Sequence, residues 1–382
     1  MLRIIFYAIL FVSGIYFSSN SLYSQEEKSK YYFKDSTDMA IDISGFLSTR
    51  IGFMPVPMII TEPAVGYGAG LGMVFFHRSK EERESGKFSK LPPSLSMAGG
   101  LYTENGTWAA IIAHQGSYRK DHIRYLGVLG YTNVNLDFYG AGLIQEERAY
   151  RFNLAGFLLF QELAIRIKDS PFFIGANYSY FNNEITFKTE LEVPGLEELS
   201  ENSTIGGVNL LMMWETRDNI FTPNKGIFTA FELGKYAPWL GGENDFNNAN
   251  LRFYGYTNKI RKTVAGFRFN GQYKWGDVPF YALPFISMRG IPAMRYQGDV
   301  VALGETEWRW NAYRRWSLVG FAGAGFAAEN VQSFQLNDAK IAYGTGFRYF
   351  IARQYGMHAG IDFAWGPENF AWYITFGSAW SR

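Results

Sequence analysis

Four histidines, and the hydroxyl and carboxylate groups near them, are the residues of this chain whose chemistry could support hydrolysis. His114 lies three residues before Ser117, and His122 directly follows Asp121. A nucleophile and its general base must share one face of the backbone to reach each other. Residues one or three apart in a strand point to opposite faces, so neither pair can form this contact if the segments are strands. We therefore predict that the protein is not an enzyme.

The residue types do not support metal or cofactor chemistry either. The chain has no cysteine, and its four histidines do not occur at the spacings of metal ligands. No glycine-rich phosphate loop occurs between a strand and a helix. A formal net charge of +1 does not provide the basic surface that nucleic acids require. We expect no metal, no cofactor and no nucleic-acid partner.

Apolar and polar residues alternate over most of the chain, and this alternation defines the elements that would position any functional group. The segments 265–276, 305–311, 355–363 and 370–380 show it most clearly, and weaker copies occupy much of the interval from 67 to 350. A period of two residues indicates β-strands that have one apolar face and one polar face. In the last segment the large apolar residues on one face are Phe370, Trp372, Ile374, Phe376 and Trp380.

The composition favours a barrel that crosses a membrane. Aromatic residues make up 18% of the chain and charged residues 19%, while the mean hydropathy of −0.12 is too low for a bundle of membrane helices. Strands can cross lipid only in a closed sheet, which pairs every backbone N–H and C=O. With about 9–11 residues per crossing strand, we predict an all-β fold, a transmembrane antiparallel β-barrel of about 16 strands, with about 14 as the alternative.

The start of the chain predicts where the protein goes. Arg3 precedes an apolar run from Ile4 to Phe17, and small polar residues follow, as is typical of a secretory signal peptide. A membrane anchor is the alternative, but the run is shorter than the ~20 residues that cross a bilayer. We predict a signal peptide at 1–24, a short periplasmic tail at 25–45 and a barrel at 46–382. This arrangement predicts the outer membrane of a Gram-negative-type bacterium.

A polar segment at 214–226 separates two of the strands. It reads Trp-Glu-Thr-Arg-Asp-Asn-Ile-Phe-Thr-Pro-Asn-Lys-Gly, and its proline and glycine suit a tight hairpin turn. The segment resembles the Asp-x-Arg-Asp-Asn…Pro…Gly turn of the bacterial surface-antigen superfamily, the outer-membrane barrels that include BamA and TamA. The residues that carry the resemblance are Arg217, Asp218, Asn219, Pro223 and Gly226. We expect the turn to stabilise structure.

A second resemblance to this superfamily covers a loop that reads Ser-Met-Arg-Gly-Ile and the strand that follows it. Arg289, Gly290 and Ile291 match the superfamily's Arg-Gly-Phe loop, with isoleucine in place of the aromatic residue. The resemblance implies that the loop folds back into the barrel lumen. An arginine inside a barrel keeps its charge only beside a carboxylate or water. Glu307 and Asp362 are the candidate partners, and the alternative is that both are solvated charges lining a pore.

The end of the chain extends the resemblance, which covers most of 51–382. Segments 343–349 and 360–366 are similar to the last strands of the superfamily. The resemblance implies that the first and last strands meet at a weak seam, and that the aromatic residues of 370–380 are a signal read by the barrel-assembly machinery. The residues before Phe46 leave no room for the periplasmic POTRA repeats of BamA and TamA. We expect a member that consists of the barrel alone.

Three functions remain open. The first is the assembly, insertion or translocation of outer-membrane proteins through the seam, as the resemblance implies. The second is a gated or passive channel, and the third is a structural or surface-adhesive barrel. The expected partners are outer-membrane lipid, the barrel-assembly machinery during biogenesis, and unfolded outer-membrane protein clients or a periplasmic protein.

Overall fold

A computed structural model of the chain describes residues 33–45, 54–77, 94–139, 149–187 and 202–380. The predicted signal peptide at 1–24 lies outside these ranges. Within them, none of the helices has the length and apolarity needed to cross a bilayer.

Sixteen β-strands follow one another along the described chain, and each pairs antiparallel with the next. This arrangement confirms the predicted all-β fold and the larger of the two predicted strand numbers. The strands are β1 (Met54–Ile60), β2 (Gly68–His77), β3 (Ser94–Thr103), β4 (Trp108–Tyr118), β5 (Ile123–Phe138), β6 (Tyr150–Arg166), β7 (Phe172–Phe187), β8 (Asn202–Glu215), β9 (Gly226–Tyr236), β10 (Phe246–Ile260), β11 (Thr263–Gly276), β12 (Val300–Tyr313), β13 (Trp316–Ala328), β14 (Lys340–Ala352), β15 (Met357–Trp365) and β16 (Phe370–Phe376).

The sheet curls until its two edges approach each other, which makes a nearly closed barrel. The rings of Tyr67, just before β2, and Trp372 in β16 have centroids 6.3 Å apart. We call the end at which the even-numbered strands finish the lower rim, and the opposite end the upper rim. The turns at 119–122, 261–262 and 314–315 lie at the lower rim.

The alternation predicted from the sequence separates an outer face from an interior. In β4, Trp108 and Ile112 are exposed on the outer face, whereas Ala109 and Ile111 are buried inside. Exposed aromatic side chains occur near both rims, as in barrels with an apolar outer band bordered by aromatic girdles. Near the upper rim they include Tyr102, Trp108, Tyr343 and Trp365, and near the lower rim Tyr118, Trp214, Trp310 and Trp316.

The connection at 277–299, between β11 and β12, fills the upper part of the interior. Its short 3-10 helix, Phe280–Ala282, packs on residues that project inward from β5, β6 and β7. The ring of Phe280 lies 5.3 Å from that of Phe152, measured between centroids. Because Phe152 and Leu154 are completely buried, the barrel wall here meets a packed core and not an open pore.

The last strand is shorter than the alternation predicted. Phe370, Trp372, Ile374 and Phe376 share the outer face of β16, but Gly377 then adopts a φ of +71° and turns the chain inward. Trp380 consequently lies inside the barrel, where only 3% of it is exposed. The prediction that Trp380 continues the outer face of the strand is therefore wrong, because a left-handed glycine ends the alternation before it.

Candidate functional site

The tip of the 277–299 loop carries Arg289 into the middle of the barrel. Gly290 follows it with a φ of +87°, a conformation that favours glycine. Its N–H donates a hydrogen bond of 3.0 Å to the Tyr373 hydroxyl on β16. The left-handed glycine reverses the chain, and this hydrogen bond holds the tip against β16.

Arg289 contacts three carboxylates that project from the barrel wall. Its Nη1 lies 2.8 Å from Glu307 Oε2 and 2.8 Å from Asp362 Oδ2, and its Nε donates to Glu305 Oε1 at 3.2 Å. The guanidinium also lies over the ring of Phe321, 3.5 Å from the centroid. An almost fully buried cation is thus matched by charge and by an aromatic face.

Two further arginines complete this cluster, which we call the luminal ion cluster. Arg348 donates to both oxygens of Asp362, at 2.6 and 2.8 Å, and the Thr375 hydroxyl donates to the same carboxylate at 3.1 Å. Arg268 Nη2 lies 2.7 Å from Glu305 Oε2 and donates to the Ser287 carbonyl at 2.8 Å. The cluster joins the loop to β11, β12, β14, β15 and β16, and its charges balance. Its members are Arg268, Arg289, Arg348, Glu305, Glu307 and Asp362.

The structure therefore brings Arg289 to both candidate partners, Glu307 and Asp362. Sequence reasoning missed Glu305, which is 3% exposed and touches two of the arginines. The signal was present in the sequence, because Glu305 and Glu307 alternate in one strand and must share its inner face.

The predicted hairpin turn after β8 is held by its own side chains. Asp218 Oδ1 accepts hydrogen bonds from the N–H groups of Asn224 and Lys225 at 2.9 and 3.2 Å. Gly226 has a φ of +103°, and Pro223 is buried. Arg217 donates to the Glu215 carboxylate at 2.8 Å. These contacts fit the structural role expected for the motif.

The same turn also reaches across the lower end of the barrel. Asn219 donates to the Tyr355 carbonyl at 2.8 Å, and the Thr222 hydroxyl accepts from the N–H of His358 at 3.1 Å. The Phe221 carbonyl accepts from the N–H of Ser378 at 2.5 Å. The turn thus narrows the lower opening by joining β15 and the residues after β16, which its sequence did not indicate.

The described part of the N-terminal tail, 33–45, is fixed to the lower rim by one buried arginine. Arg315, in the turn between β12 and β13, contacts carboxylate oxygens of Asp35, Asp38 and Asp42 at 2.6 to 2.7 Å. Arg353, in the next lower turn, contacts the first two at 3.0 and 2.9 Å. The tail therefore crosses the lower ends of the strands on the β16 side of the barrel.

Arg315→Ala is expected to release the tail. Each lost hydrogen bond to a charged group removes about 1.5–3 kcal/mol, so cleavage at exposed Lys34 by trypsin should accelerate about tenfold or more. Arg314→Ala is the matched control, because Arg314 is the exposed neighbour in the same turn. Mass spectrometry of the fragments measures the rate. Equal cleavage of both variants would contradict the proposed anchoring.

Acid is expected to release the tail in the unaltered protein. The hydrogen bond from Arg315 is the main cause that lowers the pKa of Asp38 to about 2. Asp35 also has a lowered pKa, because hydrogen bonds from Thr37 and attraction to Arg353 and Arg315 outweigh its desolvation. A carboxylate whose pKa is lower in the docked tail than in the free tail stabilises docking when the pH is above its ordinary pKa. This stabilisation is lost as the pH falls through the lowered pKa. Pepsin digestion should show protection at about pH 4 and its loss near about pH 2; protection unchanged over this range would contradict the pairing.

The edges of β1 and β16 form a seam without a hydrogen-bonded ladder in the described parts of the chain. A cavity of about 100 Å³ lies at this seam. Ile59 of β1 and Ile374 of β16 line it from the outer face, and Met288, Ile291 and Trp380 line it from inside. Arg268, Arg289 and Glu305 of the luminal ion cluster also line it. The predicted loop residue Ile291 thus forms part of a cavity that reaches from the seam to this cluster.

The two histidine pairs considered for hydrolysis do not form a catalytic contact. His114 lies on the outer face of β4, whereas Ser117 faces inward and donates to Asp121 Oδ1 at 2.9 Å. His122 bonds to the Arg119 carbonyl at 2.8 Å, while the Asp121 carboxylate accepts from Arg124 at 2.6 and 2.7 Å. The opposite faces predicted from the spacing account for the separation of His114 and Ser117, whereas Asp121 and His122 lie in the turn between β4 and β5.

A 16-stranded barrel with an in-folded loop, in which the described parts of the first and last strands share no ladder, defines a recognisable class of fold. No family model and no curated protein sequence matches the chain. Among solved structures, BamA from Haemophilus ducreyi lacking POTRA domains 1–3 is similar, with a TM-score of 0.58 and 12% identity over 86% of this chain and 70% of that one. CdiB from Acinetobacter baumannii has a TM-score of 0.54 and 10% identity, covering 85% of this chain and 59% of its own. CdiB from Escherichia coli has a TM-score of 0.56 and 9% identity, covering 84% and 61%.

These comparisons confirm the predicted resemblance at the level of the fold. The chain has the barrel architecture of BamA and CdiB, and it spans about three fifths of the two CdiB chains. At such low identities, activity and partners do not follow from the likeness.

Proposed function

We propose that this protein is an outer-membrane barrel that inserts or translocates polypeptides through the seam between β1 and β16. The observation that carries the proposal is the lack of a ladder at this seam in the described chain, together with the cavity behind it. A seam without a continuous ladder opens at lower cost than a paired one, and an opened edge forms a template for another strand. An unfolded outer-membrane protein could pair with an edge exposed in this way.

The outer-membrane location is part of the same proposal. The apolar outer face, the aromatic side chains near both rims and the likeness to BamA and CdiB support it. In this orientation the lower rim, which carries the N-terminal tail, faces the periplasm. Lipid surrounds the barrel, and the barrel-assembly machinery inserts it with the aid of the outer aromatic residues of β16.

The filled interior favours this function over a passive channel. The 277–299 loop occupies the upper interior, and the turn after β8 crosses the lower opening. Planar-bilayer recordings are expected to show small, intermittent conductance. A large and steady conductance that Arg289→Ala leaves unchanged would favour a simple pore.

Joining β1 to β16 is expected to abolish the activity. The chain has no cysteine, so Ile59→Cys with Ile374→Cys can be joined by a short bismaleimide without background reaction. Ile361→Cys with Ile374→Cys is the matched control, because these residues face each other across the existing β15–β16 ladder. After depletion of the native protein, quantitative proteomics of the outer membrane compares the two cross-linked variants.

The expected result is a depleted outer-membrane proteome with the seam cross-link and a normal one with the control. Full complementation by the seam cross-link would exclude insertion through the seam. If depletion alone leaves the proteome unchanged, a role in protein insertion is excluded altogether.

A further inference from the structure

A chain of hydrogen bonds crosses the outer face of three neighbouring strands. His77 Nε2 and Ser96 Oγ are 2.7 Å apart, Ser96 Oγ and His114 Nδ1 are 2.8 Å apart, and His114 Nε2 and the Tyr118 hydroxyl are 2.8 Å apart. The ladders place these residues on the same face as exposed Ile112. On the next two strands the Tyr125 hydroxyl donates to Gln161. We call the six residues the outer polar patch: His77, Ser96, His114, Tyr118, Tyr125 and Gln161.

The depth of this patch is unusual for polar groups, given the membrane orientation proposed above. Tyr118 ends β4 at the lower rim, and His114 lies four residues earlier in the strand. A rise of about 3.3 Å per residue and a tilt of about 40° place His114 roughly 10 Å above the rim. The apolar band of such barrels is about 25 Å tall, so the imidazole lies within it. Polar side chains at this depth are costly unless they form hydrogen bonds with one another or with a polar ligand.

The backbone beneath the patch is adapted to its side chains. The ring of Tyr118 lies so close to Gly116 that a Cβ atom there would overlap it, and the Tyr125 hydroxyl lies equally close to Gly127. The two glycines let the tyrosines lie flat against the wall and present their hydroxyl groups to the imidazole and amide above them. The patch is therefore formed before any ligand arrives, which lowers the cost of binding.

The charges around the patch favour an anion. Arg119 and Lys120 follow Tyr118 in an exposed turn, whereas the outward positions of β2, β3 and β4 in the described chain carry no carboxylate. Asp169, in the neighbouring turn, lies 3.4 Å from His122 and is exposed to solvent. The three hydrogen bonds of the chain use three of the four protons that two neutral imidazoles and two hydroxyl groups carry. One N–H or O–H group is therefore left to donate to a ligand, and a phosphate oxygen is an acceptor that suits it.

We propose that the outer polar patch binds the phosphate of an anionic phospholipid from the periplasmic leaflet. The headgroup would lie between the patch and the basic turn, and the acyl chains would follow the apolar outer residues of β4 and β5, such as Ile112 and Leu129. Because the lipid already lies in the bilayer, its phosphate approaches the patch from the headgroup level at the lower rim, past Tyr118 and the basic turn. The proposal rests on the membrane location proposed above but not on transport through the seam.

The test uses the purified full-length barrel in detergent, titrated with phosphatidylglycerol, with diacylglycerol or with inorganic phosphate, and bound lipid is counted by native mass spectrometry. The double variant His77→Leu/His114→Leu should weaken phosphatidylglycerol binding about tenfold or more, because each charge-assisted hydrogen bond accounts for about a factor of ten. Tyr118→Phe should weaken it less. Tyr102→Phe is the matched control, because Tyr102 is an exposed outer tyrosine at the upper end of adjacent β3 and should bind as the unaltered protein does.

Heat-dependent mobility on gels establishes that each variant is folded before the titration. Equal retention of phosphatidylglycerol by all folded variants would overturn the proposal, and so would equal retention of diacylglycerol by the unaltered protein. Inorganic phosphate that competes at the same concentration would assign the patch to free anions. If the variants change their oligomeric state but retain lipid as the unaltered protein does, the outer polar patch is a contact surface for another protein chain and not a lipid site. If the seam cross-link experiment fails, the lipid-binding proposal is unaffected. If fractionation finds the protein outside the outer membrane, both proposals lose the location on which they rest.

Discussion

Asp362→Ala is expected to destabilise the barrel by about 3–5 kcal/mol, because it leaves buried positive charge without its partner. Asp362 is completely buried and accepts hydrogen bonds from Arg289, Arg348 and Thr375. Arg348 is only 1% exposed, and Asp362 is its partner in the ion cluster. Urea titration, followed by tryptophan fluorescence and by heat-dependent mobility, measures the free energy of unfolding.

A second variant separates lost charge balance from lost packing. Arg348→Met combined with Asp362→Ala removes one positive and one negative charge, so it should recover part of the stability lost in the single variant. Replacing a buried ion pair by apolar side chains is often close to neutral, whereas removing one partner is not. If the double variant is as unstable as the sum of its two single changes, the charges do not act as a pair and the interpretation is wrong.

The strands could be predicted because their information is local. Alternation with a period of two assigns each residue to one face, and this rule placed Glu307 and Asp362 inside the barrel and Trp372 outside it. The same rule also places Glu305 inside the barrel, because it lies two residues before Glu307 in β12 and shares the inner face of that strand. Strand number followed from length, because a strand that crosses the apolar band needs about 9–11 residues.

The connections were less predictable because their paths depend on contacts distant in sequence. The turn after β8 has the composition of an ordinary hairpin, yet Asn219 bonds to Tyr355 on the far side of the lower opening. Gly377 ends the outward alternation before Trp380 because it adopts a left-handed conformation, which composition alone does not reveal. Arg315 likewise gives no local sign of its three carboxylate partners, which lie more than 270 positions earlier in the chain.

The in-folded loop depends on a close backbone contact as well as on its ion cluster, and Gly366→Ala tests that contact. Gly366 lies in the turn between β15 and β16, and a Cβ atom there would overlap the Gly290 carbonyl oxygen at the loop tip. The carbonyl oxygen belongs to the backbone and cannot rotate away as a side chain would, so the tip must move. Overpacking of this kind costs about 1–3 kcal/mol. Displacement of the tip also moves Arg289 away from its carboxylates.

We therefore expect Gly366→Ala to open the upper interior and to increase single-channel conductance in planar bilayers while the barrel stays folded. Gly320→Ala is the matched control, because Gly320 faces outward on β13 and an added Cβ there meets nothing within 4 Å. The two variants carry the same chemical change, so a difference between them isolates the contact at the loop tip. If both conduct like the unaltered protein, then the ion cluster alone suffices to hold the loop, and the backbone contact with Gly290 has no part in closing the interior.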